Sequence, residues 1–275
     1  MPCDSPYYVK TGSGDTVPVA CGRCPPCKKR RVDGWAFRLM QEAKVSSSAY
    51  FVTMTYNTDH VPISPNGFMT LSKSDVQKFW KRLRKLQNSK IKYYLAGEYG
   101  SQNHRPHYHA IVFNVENIEN FAKCWTFGDL HIGTVTKDSV AYTMKYIDKK
   151  GYVKKHERDD RVSEFALMSK GLGASYITDA MLRYHANDRT RTFHTLEGGH
   201  IIAMPNYYKQ KIYGDFDDSH RSYISTVVDE SRKQQFQKWY DIYKGTHLDY
   251  LQYVQDQKLH RYSKMFHKTK QHRKL

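Results

Sequence analysis

The amino-acid sequence predicts an α+β fold: an antiparallel sheet flanked by helices, with an irregular cysteine-containing segment before it and a helical extension after it. Three observations predict this. His107-Tyr108-His109-Ala110-Ile111-Val112-Phe113 is a run of aromatic and β-branched residues, and Pro106 stands just before it, where a strand tolerates proline. Ile91 to Glu98 is a second such run, joined to the first by a short loop from Tyr99 to Pro106, so the two pair antiparallel. Between Ser72 and Gln87, Val76, Phe79, Trp80, Leu83 and Leu86 recur at three- and four-residue spacing, the mark of a helix with one apolar face.

The remaining elements follow in order. Residues 1–30 read as irregular, because Pro2, Pro6, Gly12, Gly14, Pro18, Gly22, Pro25 and Pro26 interrupt any regular element. Lys28-Lys29-Arg30-Arg31 then leads into a helix through Trp35, Leu39 and Ala43. This basic run is either a phosphate contact or a solvated helix entrance. Tyr50 to Tyr56 is a strand, Asn117 to Trp125 a short helix, and Asp129 to Thr136 a further strand. Asp138 or Ser139 can cap a helix that ends near Lys150, with Gly151 as its stop. Beyond it, Ser175 to His185 reads as helix, Thr190 to Ala203 as a hairpin through Gly198-Gly199, and the chain from His220 onward as helix with Phe236, Trp239, Ile242 and Tyr243 in a stripe. The expected division is 1–30 as the cysteine-rich segment, 31–151 as the core, 152–257 as an extension packed on it, and 258–275 as a basic tail with seven Lys/Arg and no acid.

Composition limits the partners. Lys plus Arg is 44 and Asp plus Glu is 27, a net charge of +17, and aromatics make up 14% of the chain. Positive charge with many tyrosines suits a nucleic-acid binder that offers phosphate contacts and stacking surfaces. No run approaches the ~20 apolar residues of a membrane span, and Met1-Pro2-Cys3-Asp4 opens no apolar signal region, so a soluble, non-secreted protein is expected.

Two clusters can carry chemistry. Side chains alternate along a strand, so His107, His109, Ile111 and Phe113 share one face. The hairpin brings Glu98 beside His107. A carboxylate next to two imidazoles is a three-ligand metal site with positions left for water and a substrate oxygen. The pair alone is weak evidence, since 14 histidines give roughly 0.7 chance His-x-His pairs. Gln102, His104 or His131 would be the substitutes if Glu98 pointed elsewhere. The second cluster is Cys21, Cys24 and Cys27, with Cys3 upstream. In a non-secreted chain this is a four-thiolate structural zinc site, a set of reduced thiols or an iron–sulfur ligand set, and Cys124 reads as a buried core thiol. The helix after Asp138 adds Tyr142 and Tyr146, four residues apart on one face, each followed three residues on by Lys145 or Lys149. That face lies nearly opposite the stripe of Val140, Met144 and Ile147.

Taken in order, the Phe51-Val52-Thr53-Met54-Thr55 strand, Glu98 with His107-x-His109, and Tyr142-x-x-Lys145-Tyr146-x-x-Lys149 resemble the HUH endonucleases, the rolling-circle replication initiators. Two tyrosines four apart resemble the initiators of microvirus phages. Cys21-x-x-Cys24-x-x-Cys27, Arg105-Pro106-His107-Tyr108-His109-Ala110, Phe165-Ala166-Leu167-Met168-Ser169 and Pro205-Asn206-Tyr207-Tyr208-Lys209 resemble the gokushovirus branch of that family. Tyr108 departs from the bulky hydrophobic residue that the family name implies between the histidines.

The resemblance implies a ferredoxin-like or RRM-like sheet and cleavage of single-stranded DNA. It assigns Mg or Mn to Glu98, His107 and His109, with attack by Tyr146 or Tyr142 to leave a 5′-phosphotyrosyl link and a free 3′-OH, and phosphate stabilisation by Lys149 and Lys145. It further implies a single-stranded or supercoiled phage origin as substrate, a host helicase and DNA polymerase as partners, no membrane, and the host cytoplasm as location. Two other readings fit the same residues: an HUH transposase or relaxase, and a non-catalytic zinc-containing single-strand binder.

Overall fold

The strand bearing the two histidines lies at the centre of the sheet. In the computed structural model, which describes residues 3–10, 12, 14, 16–136, 140, 143, 156–188, 190–196, 199, 201–214, 218–244 and 249–271, five strands pair antiparallel throughout. The strands are β3 (Ala49–Thr55), β4 (Lys92–Tyr99), β5 (Pro106–Phe113), β6 (Leu130–Thr134) and β7 (Phe165–Met168), in the order β6-β3-β5-β4-β7. β5 therefore has a neighbour on each side and is buried along nearly its whole length.

The period-two alternation of β5 divides the core. Tyr108, Ala110 and Val112 join Val52, Met54 and Leu95 on one face. There α2 (Lys73–Lys85) lays down Val76, Phe79, Trp80 and Leu83, and α3 (Asn120–Cys124) adds Phe121 and Cys124. Full burial stabilises each such large side chain by roughly 1.5–3 kcal/mol. The helix α2 begins where Ser72 caps it, its hydroxyl accepting from the Asp75 N–H at 3.2 Å. On the opposite face, the histidine face, Ile111, Phe113 and Tyr94 pack against Leu39 of α1 (Pro25–Ala43), Val140 and Leu172.

Three elements differ from the sequence expectation. Residues 1–30 are not irregular throughout: β1 (Tyr7–Lys10) pairs with β2 (Thr16–Val19), and α1 starts at Pro25. Prolines at the first helical positions break nothing, because the N–H they lack has no partner inside a helix there. The short helix is confined to Asn120–Cys124 rather than running from Asn117 to Trp125. β7, which carries the 165–169 motif, forms a sheet edge beyond residue 151 and pairs Tyr94 with Met168 and Gly97 with Phe165.

The other resemblance motif, at 205–209, opens α5 (Asn206–Tyr213). Tyr208 is fully buried and donates to the Gly173 carbonyl at 2.7 Å. Gly173 sits at φ +76° and donates its N–H to Glu42 on α1 at 2.8 Å, and a Cβ there would lie 2.6 Å from the Arg38 carbonyl. Lys92 completes this buried set through its ion pair with Glu42 at 2.7 Å. These contacts, together with residues 156–184 and 192–208, belong to the same compact unit as the sheet.

The second unit, His185–Arg191 and Lys209–Leu275, is helical, as expected. Its long helices α6 (Asp218–Tyr243) and α7 (Tyr250–Gln271) meet through Phe236 and Trp239 against Tyr250, with ring centroids 5.1 and 5.4 Å apart. Ile242 departs from the expected stripe, being 64% exposed. The helix α4 (Asp179–Ala186) runs from the first unit into the second, and the hairpin of β8 (Phe193–Thr195) with β9 (Ile201–Ala203) belongs to the first; both are close to the spans read from the sequence. No helix among the described residues is long and apolar enough to cross a membrane.

Candidate metal centre and cysteine cluster

The register of the β4–β5 hairpin opposes Glu98 to His107 and Ala96 to His109. Opposed residues share a face, so Glu98 lies beside the two histidines and not across the sheet. Its Oε1 is 2.7 Å from His107 Nε2 and 3.2 Å from His109 Nε2. One ligand atom from each of the three falls within 4.8 Å of the others. Glu98 and His109 are buried, at 3% and 5% exposure, and His107 is partly open.

Neighbouring groups fix the rings. His107 Nδ1 is 3.2 Å from the Arg105 carbonyl. A carbonyl and a carboxylate both only accept, so the ring meets both either with a proton on each nitrogen or with its Nδ1–H on the carbonyl and a cation between Nε2 and Glu98. His109 Nδ1 is 3.0 Å from Thr53 Oγ1 on β3, and the Phe51 ring lies parallel to it with centroids 5.8 Å apart. Both Nε2 atoms and a carboxylate oxygen converge on one point, which a proton or a cation can bridge. Neutral imidazole nitrogen with carboxylate oxygen, each ring oriented through its other nitrogen, is a donor set suited to a divalent metal.

Further contacts keep the hairpin in register. Gly100 N–H donates to the Arg105 carbonyl at 3.0 Å, and Arg105 reaches the Tyr56 carbonyl at 2.9 Å. Tyr99 is tied down by its hydroxyl, which accepts from Leu71 N–H at 3.1 Å and donates to the Val162 carbonyl at 2.7 Å. Behind Glu98, the Tyr108 ring lies over Gly97, where a Cβ would stand 3.0 Å from it. The Tyr108 hydroxyl accepts from Ser72 N–H at 2.8 Å, so tyrosine serves at this buried position because its polar end is bonded. Burial pushes that hydroxyl up to about 12.

The cysteines form a second centre. The sulfurs of Cys3, Cys21, Cys24 and Cys27 all lie within 4.8 Å of one another, and those of Cys3 and Cys24 are 3.8 Å apart. Four sulfurs held 2.3 Å from a tetrahedral ion would be about 3.8 Å apart. The backbone N–H groups of Arg23 and Cys24 point at Cys21 Sγ, at 3.4 and 3.3 Å, and lower its thiol to about 6. Burial pushes Cys27 up to about 12 and raises Cys24. No disulfide joins any of the five cysteines, and Cys124 is the buried core thiol that was expected. This arrangement fits a metal.

The fallback ligands are not in the cluster. Gln102 lies exposed in the hairpin turn, and His104 occupies a left-handed turn position at φ 49°. His131 shares the face but stands two strands from His109, about 10 Å away. Tyr142, Lys145, Tyr146 and Lys149 lie outside the described residues. Of their segment, Val140 and Thr143 are described. Both are helical and buried, and Val140 packs with Ile111 and Phe113 on the histidine face. Sequence reasoning missed Thr53 and the Arg105 carbonyl as supports of the rings. Thr53 in the middle of a strand otherwise facing a core is the only sequence signal for the first, and a backbone carbonyl leaves none.

The chain is similar to known proteins over this region. Residues 49–151, which contain Glu98, both histidines and both tyrosines, match the model of the family Replication-associated protein ORF2/G2P. Over 260 residues the chain is 27% identical to the replication-associated protein ORF2 of Spiroplasma virus 4, covering 86% of this chain and 80% of that one. It is 25% identical over 210 residues to the replication-associated protein VP4 of Bdellovibrio phage phiMH2K, covering 69% and 65%. It is also 25% identical over 223 residues to the replication-associated protein ORF4 of Chlamydia phage 1, covering 70% of this chain but about half, 53%, of that relative. No solved structure matches. Family model and relatives together support the resemblance carried by the ordered motifs, that of a rolling-circle initiator from a microvirus-like phage.

Proposed function

We propose that this chain starts rolling-circle replication as an HUH-class nuclease, nicking a single-stranded phage origin and later rejoining the displaced strand. The observation that carries the reading is the convergence of Glu98, His107 and His109, with Nε2 of both rings aimed at the carboxylate and Nδ1 of each engaged elsewhere. Those three residues would hold Mg or Mn, and the ion when bound supplies Lewis acidity to the scissile phosphate. The chain itself supplies the nucleophile and the positioning. The Tyr146 hydroxyl attacks phosphorus, a Tyr O–P bond forms, the P–O3′ bond breaks, and the 3′ oxygen takes a proton to become a primer end. Lys149 and Lys145 stabilise phosphate charge. Tyr142 takes the second cleavage that releases the unit-length strand; four residues are about one turn, roughly 6 Å, if the segment is helical as its sequence predicts. Burial of Val140 against Ile111 and Phe113 brings the start of the tyrosine segment to the histidine face, and the role proposed here requires the tyrosines to reach the centre from a face other than that of Val140.

The cysteine set is read as a structural zinc site that folds the segment from Cys3 to the start of α1. The origin DNA is single-stranded or supercoiled, the free 3′-OH passes to a host polymerase with a host helicase, and the setting is the host cytoplasm. Incubation with a single-stranded origin oligonucleotide and Mn²⁺ tests the reading. A covalent adduct is expected with the wild-type chain and none with Tyr146→Phe, while Tyr142→Phe nicks without recircularising. His107→Ala should abolish cleavage yet keep salt-sensitive DNA binding, which comes from Lys and Arg. DNA binding without any adduct from the wild-type chain would instead favour the non-catalytic single-strand binder.

A further inference from the structure

On the exposed side of α1, a cleft of about 350 Å³ opens next to Cys27. Arg30, Arg31 and Arg38 line it with Trp35, Asn206 and Tyr207, and no carboxylate side chain lines it among the described residues. The volume suits a group of nucleotide size. Arg38 is the unusual member. Its guanidinium lies 4.1 Å from the Trp35 ring centroid and 4.0 Å from that of Tyr207, clamped between the two. Its Nε donates to the Leu172 carbonyl at 3.0 Å. Among the described residues its partners are thus two rings and a carbonyl, none of them an anion. A half-buried cation with no counter-charge among the described residues is costly, and burial lowers the Arg38 pKa accordingly. Arg31, exposed at the rim, is held by a bond to the Gly22 carbonyl at 3.3 Å. Such a rigid, planar, partly desolvated fork is the geometry that binds phosphate oxygens.

The cleft also has a place relative to the candidate metal centre. Trp35 packs on Tyr94 with ring centroids 5.0 Å apart. Tyr94 and Glu98 lie on the same face of β4, four residues or about 13 Å apart along the strand. We infer that the Arg30–Arg31–Arg38 cleft binds backbone phosphates of single-stranded DNA beside the scissile site. The inference rests on the proposed nicking of single-stranded DNA, and it assigns a role to the basic run at the start of α1. Arg38 acts as the fixed fork, Arg30 and Arg31 as flanking contacts, and Asn206 offers hydrogen bonds to sugar or base.

The test is fluorescence anisotropy of a labelled ten-residue oligothymidine against the full chain across a salt series. Arg31→Gln should make the slope of log K against log salt shallower by about 0.7, one phosphate contact's worth on a single strand. Arg38→Lys keeps the charge but loses the fork, and should weaken binding about fivefold to tenfold. Thermal midpoints of both variants check that the fold is intact, and oligothymidine carrying a photoreactive base should crosslink to Trp35 or Tyr207. Unchanged affinity and slope in two folded variants would overturn the assignment. So would protection of the cleft by millimolar inorganic phosphate with oligothymidine binding unaffected, which would make it a free-anion site. These readouts do not depend on cleavage. If the wild-type chain forms no covalent adduct, the nicking proposal fails while the binding result stands; if adducts form but the variants bind as wild type, only the cleft assignment fails.

Discussion

Glu98→Gln separates a metal site from a structural hydrogen-bonded triad. The substitution preserves shape and removes one charge. In the metal-free chain, Glu98 Oε1 faces His107 Nε2 at 2.7 Å and His109 Nε2 at 3.2 Å, distances at which a ring N–H donates to the carboxylate. A glutamine amide can donate its own N–H to an Nε2 lone pair, and the folded state then changes by no more than about 1 kcal/mol. If the triad were instead a charge-assisted structural bridge buried at 3% exposure, breaking it would cost about 3–5 kcal/mol. The metal response differs in the opposite direction. A ligand at 100 times its Kd stabilises the native state by about 2.7 kcal/mol. Urea unfolding with and without Mn²⁺ at that ratio should show this gain for the wild type and almost none for Glu98→Gln. A variant that loses several kcal/mol without metal, or that gains as much from Mn²⁺ as the wild type, would refute the reasoning.

Thr53→Val, which removes the oxygen beside His109 Nδ1, should lower Mn²⁺ affinity about 10- to 100-fold in a calorimetric titration. Tyr108→Phe should destabilise the fold by about 1–3 kcal/mol in urea, because it leaves the Ser72 N–H unpaired, yet Mn²⁺ affinity should be unchanged since Tyr108 faces away from the triad. Gly128→Ala places a Cβ 2.5 Å from the Thr55 carbonyl and the Asn57 nitrogen, both backbone, and should cost about 1–3 kcal/mol by the same assay. Zinc uptake by the metal-free chain should release protons and strengthen as pH rises. The N–H groups facing Cys21 favour its thiolate, so most of the protons come from the other three thiols of the site, among them Cys24 and Cys27, which burial keeps protonated. Calorimetry in buffers of differing ionisation enthalpy counts them, and uptake independent of pH would contradict a thiolate site.

The legible parts of this chain are those whose physics is local. Period-two alternation put His107 and His109 on one face, and a short loop made Glu98 their neighbour; both readings agree with the register of β4 and β5. The three- and four-residue spacing that marked α2 also named the residues it buries. What was not legible depends on distant partners or on context. Pro25 and Pro26 read as breakers, yet at the first turn of a helix proline is compatible. Phe165–Met168 is too short, with alternate residues too exposed, to announce a strand until β4 offers an edge. Nothing local to Gly173 announces that Glu42 and Tyr208 would clasp it. In the tyrosine segment the spacing put Val140 in the core stripe, and Val140 is buried on the histidine face; Thr143, outside that stripe, is buried as well.

The β4–β5 hairpin bears on how the ligand set is assembled during folding. Glu98 and His109 are 11 residues apart, whereas Thr53 comes to His109 from 56 residues away. By loop-closure entropy alone, bringing the three ligands together costs about 1.4 kcal/mol less than bringing in Thr53. The ligands are thus a low-contact-order unit, and the support for His109 a high-contact-order addition. The same economy creates one point of failure. A one-residue slip between β4 and β5 would turn Glu98 to the face of Tyr108 and dismantle the centre while leaving the hairpin paired. The ring of Tyr108 lies over Gly97, where a Cβ would stand 3.0 Å from it, and losing this close fit penalises that slip.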